Sequence, residues 1–262
     1  MNSTLRAGVP DYIGADLTDR YSKACRSIDV CGLSSDENNK LAATFWFWHW
    51  DVGPGPLDVS VVSNELKAAK AAMFDGPQGL ASPGNHLRAC ERQSAAVGKT
   101  GDSLPPLTRP FAGFIRSSLD IFAALFRAGI RIGPNRFLGG LSEVYPGHIW
   151  TLLAGRRALP NKSTEQGRVG RKNILEALGV SGLPQLPTHD QNDACVAALM
   201  AAAADGKVPG LTATAIGASL SIDPDGTLRE GFMVIPEVAS ATRSLISELP
   251  LRPRPISTLR VG

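Results

Sequence analysis

Apolar and polar positions alternate with a period of two in three stretches near the start of the chain, the signature of strands. Asp11–Leu17 reads as a first strand with Asp16 near its end, Cys25–Leu33 alternates weakly, and Leu41–Trp50 alternates over a longer run. In that last run Phe45, Phe47 and His49 share one face and Trp46, Trp48 and Trp50 the other. Short polar loops join the three, which predicts an antiparallel meander. The period then lengthens. Val59–Lys70 carries Val62, Leu66 and Ala69 on one helical stripe and leads into a short apolar strand, Ala71–Asp75, stopped by Gly76-Pro77.

Residues 78–110 are rich in Gly, Pro and Ser and predict a long loop insertion with one helical turn near His86–Gln93. Beyond it the pattern predicts an amphipathic helix at Phe111–Ala128, a strand at Gly140–Pro146, and helices at His148–Leu153 and Ser163–Leu178. A further helix follows from Thr188 to about Asp205. Thr212–Ile222 and Leu228–Ile235 flank the turn Asp223-Pro224-Asp225-Gly226 and predict a C-terminal hairpin. The order, three antiparallel strands followed by helix–strand units, gives an α/β sheet of mixed direction with helices on its faces. One domain over residues 1–249 is expected, with a loose Pro- and Arg-rich tail at 250–262.

Composition agrees with a globular α/β chain: of 262 residues, 43% are hydrophobic and 19% charged. A net charge of +3 makes no case for nucleic acid by itself. Residues 1–6 lack the apolar core of a signal peptide, and the best apolar window, Leu119–Ile132, is broken by Asp120, Arg127 and Arg131, so no membrane span is expected. Cys25, Cys31, Cys90 and Cys195 show neither CxxC pairing nor zinc spacing, which points to reduced thiols and a cytoplasmic setting.

The chemistry concentrates at His189-Asp190-Gln191-Asn192-Asp193. Thr188 and Gln191 have the spacing of a capping box, so a helix starts here, and Asp190 and Asp193 fall on one face of its first turn. Small residues (Ala197, Ala198, Ala201, Ala202) let the helix backbone lie close to a sheet. Acids at a helix start are by themselves explained by the helix dipole. Asp16 and Asp75, at strand ends, and Glu143, on the Gly140–Pro146 strand, are not. If their strands are neighbours, the carboxylates converge at one sheet edge and need a cation; hard oxygen donors suit Mg²⁺ or Mn²⁺.

The ordered set Asp16-Leu17-Thr18, Phe74-Asp75-Gly76-Pro77, Glu143-Val144-Tyr145-Pro146 and His189-Asp190-x-x-Asp193-Ala194 resembles the domain of unknown function 429 family, from about Tyr12 to Pro236. That family is described as predicted nucleases of the ribonuclease H-like fold. The resemblance implies three antiparallel strands followed by two parallel ones, and a two-metal acidic site. By this likeness Asp16, Asp75, Glu143 and Asp193 are the metal-binding acids, Asp190 is the adjacent helper and His189 orients an acid or shuttles a proton. The implied activity is divalent-metal-dependent hydrolysis of nucleic-acid phosphodiesters by a two-metal mechanism.

Other readings stand beside it. Asp19 suits a loop hydrogen bond better than a ligand role. The Trp46, Trp48, Trp50 stripe suits core or interface better than base stacking. The basic run Arg156, Arg157, Lys162, Arg168, Arg171 and Lys172 fits a nucleic-acid footprint or a solvated helix face. A catalytically silent nucleic-acid- or protein-binding module on the same fold is one alternative function. An actin- or sugar-kinase-like phosphotransferase is another, weakened by the lack of glycine in Asp16–Arg20.

Overall fold

The computed structural model describes residues 2–3, 8–37, 40–94, 100–133, 138–155 and 158–250. The predicted tail from 251 onward and the basic pair Arg156-Arg157 lie outside the described residues. The strands are β1 (Asn2–Ser3), β2 (Tyr12–Asp16), β3 (Ile28–Ser35), β4 (Leu41–His49), β5 (Ala71–Asp75), β6 (Leu141–Val144), β7 (Val180–Ser181), β8 (Leu211–Ile222) and β9 (Leu228–Val238). The helices are α1 (Ser60–Ala68), α2 (Ala89–Ser94), α3 (Ala112–Arg127), α4 (Pro146–Ala154), α5 (Glu165–Ala177), α6 (His189–Ala204) and α7 (Ser240–Glu248).

All strands join one mixed sheet in the order β1-β4-β3-β2-β5-β6-β9-β8, with β7 pairing against β4. The β2–β3–β4 meander is antiparallel. From β2 outward the sheet turns parallel through β5, β6 and β9. The C-terminal hairpin is therefore not an appendage, because β9 extends the parallel half and β8 folds back antiparallel on it. β2 is buried at every position, as expected for a strand with both faces covered.

Alternate residues of the central strands feed two cores. Tyr12, Leu33, Met73 and Val144 pack with α4, α5 and α6 on one face. Ile13, Val30, Trp46, Trp48 and Phe74 pack with α1 and α3 on the other. The tryptophan stripe is core: Trp46 and Trp48, then Trp48 and Phe74, then Phe74 and Phe122 meet edge to face at centroid separations of 6.4, 5.5 and 5.9 Å. α6 is buried nearly all round, and its alanines let it rest on β2 at Gly14. A Cβ built there meets Ala194 O at 2.1 Å and Ala198 N at 2.2 Å, both backbone atoms.

Three elements were not visible in the sequence. β1 and β7 have two residues each, too short for any period. α7 buries only Ile246. The predicted 78–110 insertion contains α2 and is clasped to the hairpin by Glu230, whose carboxylate accepts from Ser82 N at 2.8 Å and Ala89 N at 2.9 Å. Arg20, in the loop after β2, is 1% exposed and holds the carbonyls of Asp51 and Gly55, each at 3.2 Å, so it is not placed to contact a phosphate. Among the described residues no helix is long and apolar enough to cross a membrane.

Since the α6 backbone cannot retreat from a new methyl at Gly14 without moving the whole helix, Gly14→Ala should destabilise the fold by about 3 kcal/mol. Urea denaturation checks this; a change within about 0.5 kcal/mol would show that the helix is free to shift.

Candidate functional site

Asp16 and Asp75 are the last residues of adjacent parallel strands and are partners in register. One strand further on, Glu143 stands opposite Phe74. The N-terminus of α6 points its first turn at this sheet edge. Thr188 and Gln191 form the full capping box, each side chain bonding the other's backbone N–H at 3.0 Å. The five acids thus converge at the carboxyl ends of β2, β5 and β6. Asp16, Asp75, Glu143, Asp190 and His189 line a cavity of about 450 Å³. Asp193 does not: it lies behind the wall, 1% exposed. Of the two α6 acids Asp190 faces the opening, while Asp193 is turned to Trp150 and Lys162 with its charge still felt by Asp16 and Asp75.

Three of these acids are held by basic side chains. Arg88, in the inserted segment, forks onto Glu143 with two bonds of 2.6 Å, and Gln78 N donates to the same carboxylate at 3.0 Å. Arg88 also bonds Glu91 at 3.1 and 3.2 Å, so this pair of acids shares one guanidinium. Lys162 Nζ donates to Asp193 Oδ2 at 2.6 Å while Trp150 Nε1 donates to Oδ1 at 2.7 Å. Arg26 meets Asp190 Oδ2 at 2.6 Å, and His189 Nε2 lies 2.9 Å from its other oxygen. With Glu143, Asp190 and Asp193 each turned toward a cation, no ready-made cluster of three acidic, histidine or cysteine ligands exists among the described residues.

Asp16 and Asp75 have no such cation contact among the described residues. Burial, then the charges of Asp75 and Asp193, pushes the Asp16 carboxyl well above the usual carboxylate range. Burial and the Asp193 charge likewise push Asp75 up to about 7, against the partial relief of a hydrogen bond from Asp16 and the Lys162 charge. Asp190 goes the other way. Burial raises it, but hydrogen bonds from Asp16 and Arg26 and the charges of His189 and Arg26 hold it below its ordinary value. Asp16 is thus the raised member of a set of carboxylates too close for all to ionise, while its hydrogen bonds lower Asp75 and Asp190. Asp29, the antiparallel register partner of Asp16, is raised to about 6 by burial and by the Asp190 charge.

Several of these residues lay beyond sequence reasoning. Arg26 and Asp29 carry no motif. Lys162 was read only as part of a basic run, and nothing in the sequence pairs it with Asp193 or Arg88 with Glu143. Lys162 turns inward to Asp193, and Arg171 is largely buried, with its guanidinium 5.7 Å from the Trp150 ring centroid. Of that basic run, Lys162 stays half exposed at the cavity while Arg171 is packed away from solvent. Asp19 does what its loop position suggested, accepting from Tyr21 N at 2.8 Å.

Fold and site together define a mixed α/β protein with a carboxylate-rich cavity at the carboxyl ends of its central strands. Residues 57–215 match the family described as protein of unknown function (DUF429), and the chain belongs to that family. The matched span holds Asp75, Glu143, Asp190 and Asp193. Asp16 lies outside it and joins them only through the β2–β5 register. Neither a curated protein nor a solved structure matches the chain.

The raised acids make a stability prediction. Asp75 binds its proton more tightly folded than unfolded, so its contribution is full below about 4 and is lost as pH rises through about 7. Asp75→Asn, which mimics the protonated form, should raise Tm over the parent by at least about 2 °C at pH 8 in chelator, roughly 1 kcal/mol or less on this chain length. At pH 5 the two should coincide. Equal Tm values at pH 8 would show that Asp75 ionises there without cost.

Proposed function

We propose that this chain is a divalent-metal-dependent phosphodiesterase acting on nucleic acid, built on a ribonuclease H-like sheet. The observation that carries this reading is the Asp16–Asp75 pair: two carboxylates at neighbouring strand ends, lining one cavity, with no basic side chain on either among the described residues and both raised by burial among like charges. The strand order supports the fold assignment, since the β2–β3–β4 meander followed by parallel β5 and β6 is the arrangement that the ribonuclease H-like likeness implies.

The donor set suits a hard cation. Asp16, Asp75 and Asp190 present oxygens to the cavity, with Glu143 and Asp193 adding charge beside and behind them. These residues would hold Mg²⁺ or Mn²⁺, and an ion bound there supplies Lewis-acid stabilisation of phosphoryl charge and a more acidic water. The protein's own groups do the rest. Arg26 and Lys162, about half exposed or more, offer positive charge to a phosphodiester at the cavity mouth. Arg88 fixes the plane of the Glu143 carboxylate. His189, in contact with Asp190, is placed to hold or pass a proton at the site's edge.

A second reading rests on a specific observation as well. Three of the five acids already carry a protein cation, which suits a catalytically silent binding module whose site is neutralised from within.

The two separate cleanly. Mn²⁺ should raise Tm and support cleavage of a labelled oligonucleotide, rising with pH as Asp16 and Asp75 lose their protons. Asp16→Asn should abolish the thermal shift and lower cleavage at least about 100-fold. Stabilisation by Mn²⁺ without cleavage favours the silent module; cleavage that survives Asp16→Asn places the chemistry elsewhere.

A further inference from the structure

The five acids are not equal as ligands, because some of their oxygens are already taken. Glu143 is 2% exposed, and Arg88 donates to both its oxygens at 2.6 Å while Gln78 N donates to Oε2 at 3.0 Å. Arg88 is itself 2% exposed. An ion that claimed Glu143 would break a bidentate pair out of reach of water, where separating the partners is most costly. Asp193 is closed in the same way: Trp150 Nε1 holds Oδ1 at 2.7 Å and Lys162 Nζ holds Oδ2 at 2.6 Å. Lys162 lines the cavity while Asp193 and Trp150 do not, so the ammonium stands between that carboxylate and the open space.

Asp16 and Asp75 differ. Both line the cavity, neither makes an ion pair among the described residues, and the side chain of Asp16 hydrogen-bonds two other acids, Asp75 and Asp190. Acids bonded to acids are a donor set short of a cation. Asp190 beside them is paired with Arg26, but that side chain is 62% exposed and turns to water at little cost. One Mg²⁺ needs no more protein than this, since it binds through one or two carboxylates and keeps several waters. A two-ion site is another matter. Ions about 4 Å apart need a shared acid and further acids for each ion, and the further acids here, Glu143 and Asp193, are the closed ones.

We infer that the cavity takes one divalent ion, on Asp16 and Asp75, and that Lys162, paired with Asp193, shuts out the second ion that the family likeness implies. This deepens the metal-dependent reading above and rests on it. Lys162 is then a positioning residue: it supplies at Asp193 the positive charge that a second ion would bring, and its charge is felt by Asp16 and Asp75 as well.

The test counts ions on the full chain, by equilibrium dialysis against Mn²⁺ with metal analysis and by electron paramagnetic resonance of the bound Mn²⁺. The parent should hold one Mn²⁺ per chain with an uncoupled spectrum, because two ions about 4 Å apart couple magnetically. Lys162→Met keeps the aliphatic stem and removes the charge, so Asp193 is left open to the cavity and the count should rise to two with a coupled spectrum. Lys162→Arg, which keeps the charge, should stay at one. Adding Asp193→Asn to Lys162→Met should return the count to one, a reversal that misfolding does not produce. Two ions on the parent, or a single ion on a folded Lys162→Met, overturns the inference. The parent's count needs no variant, so the inference stays exposed even if Lys162→Met unfolds. One ion without cleavage sinks only the hydrolase reading, two ions with cleavage sink only this one, and no bound Mn²⁺ sinks both.

Discussion

At Gly14 nothing but hydrogen separates a sheet strand from a helix backbone. Ala194 and Ala198 of α6 lie against β2 where any side chain would intrude, and the buried alanines above them keep the helix at that depth along its length. The consequences follow in order. α6 starts at the level of the β2 and β5 carboxyl ends, so its first turn brings Asp190 and Asp193 to Asp16 and Asp75. Because the helix sinks so far, those carboxylates are buried as they converge. The like charges then cannot all persist, and the site must find either protons or cations.

The protein answers with basic groups from three separate segments. Arg26 arrives from the β2–β3 loop, whose backbone is pinned by Thr18 Oγ1 donating to Arg26 O at 2.8 Å. Arg88 arrives from the inserted segment, held down by Glu230 of β9. Lys162 arrives from the segment between α4 and α5. Each takes one acid, and the two left over, Asp16 and Asp75, are the pair nearest the sheet centre and open to the cavity. The asymmetry is what gives the cluster a direction: its outer members are ion pairs, while its inner members have no cation contact among the described residues.

Much of this was legible in sequence, for identifiable reasons. The period-two runs at 12–16 and 41–49, the capping box at Thr188–Gln191 and the Asp223–Gly226 turn are local signals, and local signals survive without a structure. Asp16, Asp75, Glu143 and Asp190 were found because each sits at a readable strand end or helix start. What escaped was non-local. Arg26 meets Asp190 across 164 positions of chain, and Arg88 meets Glu143 across 55. No periodicity encodes such pairs. Which of Asp190 and Asp193 lines the cavity is non-local as well, since it depends on how α6 rests on Gly14.

Two costs in the fold coincide with the same cavity, and that coincidence is itself an argument. Burial and the Asp193 charge push the Asp75 carboxyl up to about 7, and Phe111 is held in a backbone region that glycine alone enters freely. Both are departures from what the local sequence alone would favour. Sites that violate local rules are where function is expected to oppose stability. Had the acids been ordinary helix-start residues, the dipole of α6 would account for Asp190 alone. It offers no reason for an acid without an ion pair at the end of each neighbouring strand.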